Sequence, residues 1–291
     1  LLMGREIIRY SMGVLLALSL AACGNDLDTL PQMVFVPYLP GGGSRATDTG
    51  FEPGDAIGIY AVGHDEYGQA RILEVTGNWA SNAKSVCNGG EWTVSPPVYW
   101  TENGVFDIYS YYPYASNVNS VSDFRFELQG DQRDNGLTLS DFMWAKTSAV
   151  TQEGGSVPLH FTHRLSKLTI RLAKGADYEG ELPDDAIVNI HGTVPVALVD
   201  LESGDVEKSP DSPAGTITAH RDAPGYYSAI IVPQKILNQI PLVEVIVKDV
   251  SYLLSSKFIF ESGKRHCVDV ILSDNPDKVI ISVGGGTDEW N

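Results

Sequence analysis

His160 and His163 form an H-x-x-H pair, which on a helix would offer two imidazoles to one metal ion. The stretch around them, Phe161 to Leu172, reads as strand instead, and there a spacing of three puts the rings on opposite faces. They are therefore read as structural, and no metal is expected. Serines, histidines and aspartates are plentiful, but no G-x-S-x-G frames a nucleophile. Asp184 and Asp185 adjoin in a polar loop and read as solvated rather than as an acid and a base facing a cleft. Gly284 to Gly286 lacks a following Lys and a strand-to-helix setting, so it does not read as a phosphate cradle. The pattern of a calcium loop is absent. Cys23, Cys87 and Cys267 show neither C-x-x-C nor zinc spacing. Cys87 and Cys267 would either pair in an oxidising compartment or sit as small buried thiols. Neither catalysis nor a cofactor is expected.

Cys23 and Arg45 are the residues whose chemistry remains. Arg5 and Arg9 precede an apolar run from Met12 to Ala22, too short to span a bilayer and laid out like a signal peptide. It ends Leu20-Ala21-Ala22-Cys23-Gly24, which resembles a bacterial lipobox. In a lipobox the cysteine is acylated and becomes the new N-terminus, and two or more acyl chains anchor a protein stably. The expected partner at this stage is thus the outer membrane, through lipid on Cys23. Arg45 is the sole Lys or Arg between Arg9 and Arg71, and it lies in the flexible stretch Pro40 to Gly50. It reads either as an ordinary linker residue or as a protease site with Ala46 as the new terminus.

The elements around these residues are strands. The chain has 291 residues, 43% of them hydrophobic, enough for one large core or two ordinary ones. A formal net charge of -17 speaks against nucleic acid as a partner. Met33 to Tyr38 reads as a short edge strand, because Pro37 cannot donate to a ladder. Further strands are read at Ile57–Tyr60, in a long hairpin between Trp79 and Trp92, and at Val98–Trp100, Val105–Tyr114 and Phe124–Leu128. Ser140–Ala145 reads as a short helix or a strand. The second half repeats the style through Ala186–His191, Pro195–Leu201, Tyr226–Pro233, Leu242–Val247, Lys257–Glu261, Arg265–Leu272 and Val279–Val283. At about seven strands per half, an all-β chain of two sandwiches is expected. Phe161, His163 and Leu165 alternate on one face, whereas Leu168, Ile170 and Leu172 alternate one residue out of step. Either a bulge sits near Ser166 and Lys167 or the chain changes sheets there, and the lengths of the flanks favour a change of sheet. The expected organisation is a signal peptide over 1–22, a tether with a first strand over 23–50, and sandwiches over 51–165 and 166–291.

Taken in order, these residues resemble a known family. The lipobox, Arg45 to Thr47, Phe51 to Asp55 with Ile57-Gly58, Tyr99-Trp100, Tyr111 to Tyr114, Asp131-Gln132, Ser140-Asp141, Phe161 to His163 with Leu165, Ile231 to Gln234 and Ser262 to Lys264 are similar to the fimbrillins, the type V pilin-like surface lipoproteins of the Bacteroidales. The resemblance implies two tandem transthyretin-like Greek-key β-sandwiches and localisation as an outer-membrane lipoprotein or in a fimbria at the cell surface. It also implies removal of the N-terminal strand, here Val34, Phe35, Val36 and Tyr38, by an arginine-specific protease. The groove left open would accept a strand from another fimbrial subunit, which satisfies both bare backbone groups and an apolar cleft. With Val34, Val36 and Tyr38 facing inward, each would contribute about 1.5–3 kcal/mol to holding the strand until cleavage. Val279, Ile280, Ile281 and Val283 form the candidate C-terminal donor strand, with Asp274 to Asp277 as its hinge. Alternatively they are the last strand of the second sandwich, or the glycine run frees only Thr287 to Asn291. Stalk, tip and anchor positions all fit, as does a receptor or glycan on a host or bacterial surface. A different class of reading is a glycan-binding surface lipoprotein that stacks sugars on Trp79, Trp92, Trp100 and the tyrosines at 109, 111, 112 and 114.

Overall fold

The β-branched and aromatic runs become strands in the computed structural model, which describes residues 30–39, 50–275, 279–282 and 286–290. Cys23, Arg45, Ala46 and Val283 lie outside the described residues. In the first half the strands are β1 (Phe35–Tyr38), β2 (Ala56–Gly63), β3 (Ala80–Asn88), β4 (Glu91–Ser95), β5 (Phe106–Tyr112), β6 (Phe124–Glu127), β7 (Met143–Val150), β8 (Val157–His160) and β9 (Thr162–His163). The second half holds β10 (Ser166–Lys174), β11 (Ile187–Thr193), β12 (Val196–Val199), β13 (Val206–Lys208), β14 (Gly215–Thr218), β15 (His220–Ala223), β16 (Tyr226–Ile231), β17 (Gln234–Val247), β18 (Val250–Phe260), β19 (Lys264–Leu272), β20 (Ile280–Ser282) and β21 (Thr287–Glu289). The only α-helix among the described residues, α1, spans Gly136–Leu139. The protein is all-β.

The first large sheet runs β4-β3-β2-β5-β7-β9, antiparallel throughout. The expected hairpin is β3-β4, which turns on Gly89 and Gly90. All seven residues of β5 are buried, although simple alternation would leave one face wet. The reason is that both faces of this sheet are covered. Phe106, Ile108 and Tyr112 pack with Met33, Phe35 and Leu159 on one side. Tyr109 and Tyr111 pack with Phe124 and Phe142 on the other. Gly58 of β2 makes this possible, since a Cβ there would stand 2.2 Å from the Tyr111 ring. Tyr111 is held in that slot by donating to Asn82 Oδ1 at 2.8 Å. The strand expected at Val98–Trp100 does not extend into a ladder; Tyr99 makes one isolated bridge to Gln32.

The out-of-step alternation marks a change of sheet rather than a bulge. β9 pairs with β7 in the first sheet, and three residues later β10 pairs with β16 and, in parallel, with β19. Leu165 and Ser166 are both fully buried, so the inward face switches at that step. The second half contains the sheets β15-β16-β10-β19-β20 and β14-β11-β17-β18, with β21 also on β19. The halves are stitched together: β6 pairs with β12 in a three-stranded sheet completed by β13. Buried Gln132 uses its amide as a substitute strand. Its Nε2 donates to Ile230 O at 2.8 Å, and its Oε1 accepts from Ile230 N at 2.7 Å. These bonds satisfy β16 beyond the end of β15, where a bare backbone pair would be costly.

Candidate functional site

The N-terminal segment is an added strand in a groove. Its first part runs antiparallel to residues 98–100, with Met33 N donating to Val98 O at 2.7 Å and Trp100 N to Pro31 O at 3.0 Å. Its second part, β1, lies parallel to β8, with Val157 N donating to Val34 O at 2.7 Å and Phe161 N to Tyr38 O at 2.9 Å. The carbonyls of Val34 and Tyr38 thus face β8. Pro37, at the opposite parity, turns its nitrogen away from the ladder, so the missing N–H costs nothing there. The edge position read from Pro37 follows from this.

The expected inward residues need correction. Val34 is 57% exposed and Tyr38 47%, while Met33 and Phe35 are each 3% exposed. Val36 is half-buried. All four residues from Met33 to Val36 are apolar, so local alternation offered no choice of face. The floor of Ile57, Ile59, Trp100, Val157 and Phe161 decides for the larger Met and Phe side chains. Tyr38 instead stacks on exposed His160 at 4.9 Å. Without this segment, that floor and the β8 edge would be bare.

The C-terminal segment lines a second edge. β20 pairs antiparallel with Asp269–Ile271, and β21 pairs antiparallel with Lys264–His266, end to end along β19. Thr287–Glu289 is therefore paired, not loose after the glycine run. Val279 and Ile281 pack against the core, whereas Ile280 is 55% exposed. Ion pairs join Lys264 to Glu289 and Arg265 to Asp288. Trp290, buried, lies flat on His163 with ring centroids 3.9 Å apart, and its backbone N–H donates to Gly263 O at 2.9 Å. His163 is also held by Asp141 at 2.9 Å, and Lys167 Nζ sits 5.6 Å from the Trp290 ring. Trp290 thus covers the point where the chain changes sheets. Its role escaped sequence reading; a lone Trp behind an acidic pair that faces Lys264 and Arg265 was the available signal.

The remaining sequence candidates resolve simply. His160, at the end of β8, is exposed, and His163, in β9, is buried. Among the described residues, no group of three His, Cys, Asp or Glu could hold a metal ion. Cys87 and Cys267 are free thiols, Cys87 buried. Asp184 and Asp185 are exposed, with Asp184 3.5 Å from Arg221. Trp92 and Trp100 belong to the core, Trp92 edge-on to Phe51 at 5.0 Å. No coplanar tryptophan pair occurs among the described residues; Trp79 stands apart, 45% exposed.

The fimbrillin-like family matches residues 44–290 of the chain. A curated relative, the putative fimbrium tip subunit Fim1C of Bacteroides ovatus, is 29% identical over 147 residues. That alignment covers 44% of this chain and 26% of the relative, so the chain spans about a quarter of that protein's length. Among solved structures, a putative cell adhesion protein from Bacteroides ovatus is similar with a TM-score of 0.72 at 16% identity, over 90% of this chain and 98% of that one. A putative cell adhesion protein from Bacteroides uniformis gives 0.65 at 20% identity, over 83% and 93%. A fimbrial protein from Bacteroides vulgatus gives 0.54 at 14% identity, over 81% and 93%. These likenesses share the all-β fold, and the matched proteins are fimbrial and cell-adhesion proteins rather than enzymes. They favour a fimbrial subunit over the alternative of a surface glycan-binding lipoprotein using exposed aromatics. With its ordered motifs, its fold and a family match over most of its length, the chain belongs to the fimbrillin-like family.

Proposed function

We propose that this chain is a structural or adhesive subunit of a cell-surface fimbria, assembled with other fimbrial subunits by strand exchange. The observation that carries the reading is the N-terminal segment, which fills an edge groove with two buried side chains and connects onward through the stretch containing Arg45. In this reading Cys23 is acylated and tethers the subunit to the outer membrane. Cleavage between Arg45 and Ala46 then disconnects residues 23–45 from the fold. Departure of Met33 and Phe35 bares the β8 edge and its apolar floor, a geometry that an incoming extended strand satisfies. Residues 279–283 are the candidate donor, because β20 is short and lies at a sheet edge. Residues 51–165 and 166–291 act as the two folding units of the subunit, joined by the β6-β12 pairing. Stalk, tip and anchor positions are all compatible with this scheme.

The test is limited digestion of the purified protein with an arginine-specific protease, followed by N-terminal sequencing and native mass analysis. A new terminus at Ala46 with concentration-dependent oligomers is expected. A first cut after exposed Arg71 instead, or a protein that stays monomeric after the Arg45 cut, would sink strand exchange.

A further inference from the structure

At one end of the first sheet, β2 stops at Gly63, β3 starts at Ala80, β5 starts at Phe106 and β7 stops at Val150. The junction with the second half, at Phe142–Trp144 and His163, is at the other end. The loops at the free end enclose a cleft of about 490 Å³, which shares Thr101, Asn103 and Gly104 with a neighbouring cleft of about 510 Å³. Loops held on a rigid scaffold are where binding sites concentrate, and clefts of this size suit small ligands.

The walls are held firmly. His64 bridges the Gly68 carbonyl at 3.1 Å and the buried Asp107 carboxylate at 2.9 Å. Asp65 Oδ1 accepts from the N–H groups of Tyr67 and Gln69, both at 2.9 Å. Trp79 donates its indole N–H to Tyr99 O at 2.8 Å and rests on Phe106, which fixes the ring and leaves it half exposed to the cleft. Gly104 brings the floor close: a Cβ there would fall 1.9 Å from Thr101 Oγ1 and 2.7 Å from the Phe106 ring.

The protein leaves part of this lining unused. Among the described residues, the side chains of Arg71, Glu74, Thr101 and Asn103 make no hydrogen bond or ion pair, although all four line the cleft. An apolar ligand would desolvate these groups without repayment in hydrogen bonds. An anionic ligand would meet Glu74, Asp65 and a net charge of -17. A ligand rich in hydroxyls, each both donor and acceptor, can answer a guanidinium, a carboxylate, an amide and a hydroxyl together. The same ligand can lay an apolar C–H face on a fixed indole. We infer that this cleft binds a neutral saccharide chain, with one ring on Trp79 and its hydroxyls on Arg71, Glu74, Thr101 and Asn103. The site adds a ligand class to the adhesive part of the proposed function and does not depend on strand exchange, so the two readings fail separately.

Saturation-transfer NMR on the intact, uncleaved protein tests it. The probes are neutral hexasaccharides of β-linked glucose, xylose, mannose and N-acetylglucosamine and of α-linked glucose, with 3′-sialyllactose as the anionic comparison. At least one neutral chain is expected to receive saturation at millimolar concentration, with affinity at least tenfold weaker in Trp79→Ala. Because Trp79 also packs on Phe106, Arg71→Ala and Glu74→Ala provide variants at exposed positions that should also weaken binding severalfold with an unchanged circular-dichroism spectrum. No transfer to any neutral chain, undiminished binding in Arg71→Ala and Glu74→Ala, or a preference for sialyllactose would overturn the proposal.

Discussion

The two ends of the described chain are both paired strands, β1 in a two-stranded sheet with β8 and β20 and β21 along the edge of β19, yet they are held by opposite means. The N-terminal segment relies on Met33 and Phe35 sunk into an apolar floor, and none of its described residues makes an ion pair. The C-terminal segment buries one large ring, Trp290, half-buries Val279 and Ile281, and adds charge pairs along a ladder. Apolar burial is not screened by salt and does not titrate, whereas exposed ion pairs are worth little and are screened. The first end should therefore stay in place until its connection is cut. The second should loosen with conditions.

The largest effect expected from this contrast is at Phe35. Phe35→Ala should cost about 3–5 kcal/mol by denaturant unfolding, if the strand unfolds with the domain. Val34→Ala, on the exposed side of the same strand, should stay within about 0.5 kcal/mol. Equal effects at the two positions would refute the inward register. Next in size is Trp290→Ala. Because the segment lies at a sheet edge, it is expected to open before the rest, and loss of the ring should show as faster hydrogen exchange at residues 264–266, with about 0.5–1.5 kcal/mol from the ring contact beyond its buried area. Global unfolding that shifts as much as for Phe35→Ala would erase the distinction.

Acid should also separate the ends. Burial holds the His266 imidazole below the ordinary histidine range, with nearby Glu261 pulling the other way. Its Nε2 accepts from Glu261 N at 3.2 Å, and Nδ1 faces Thr287 Oγ1 of β21 at 3.1 Å. A folded pKa below the unfolded value means that the opened state binds more protons. The stabilisation is thus fully present above the unfolded pKa of about 6.5 and declines as pH falls from there toward the folded value. Protection factors at residues 264–266, taken relative to the unstructured exchange rate at each pH, should fall across that window while those of β1 hold, and His266→Phe should flatten the response. The smallest effects are expected from Asp288→Asn and Glu289→Gln, about 0.2–1 kcal/mol each and fading in high salt.

Much of this architecture was legible because strand alternation is local. The hairpin β3-β4, the alternating β6 and the change of sheet between Leu165 and Ser166 can each be read from a few neighbouring residues. The lining of the far-end cleft was not legible: Arg71, Trp79 and Asn103 belong to different loops, and only the antiparallel order of β2, β3, β5 and β7 brings them to one end. In the sequence Trp79 is one aromatic among several, since exposure depends on what packs above a ring.

By itself the sequence determined the all-β class, the edge character of the Pro37 strand and the step where the inward face switches. Those depend on side-chain type and a period of two. Tertiary structure alone decided that Phe35 rather than Val36 fills the groove, that β6 joins β12, and that Trp290 closes over His163. Each of these is settled by partners more than fifty residues away in the chain, through backbone hydrogen bonds and buried area that no local pattern encodes.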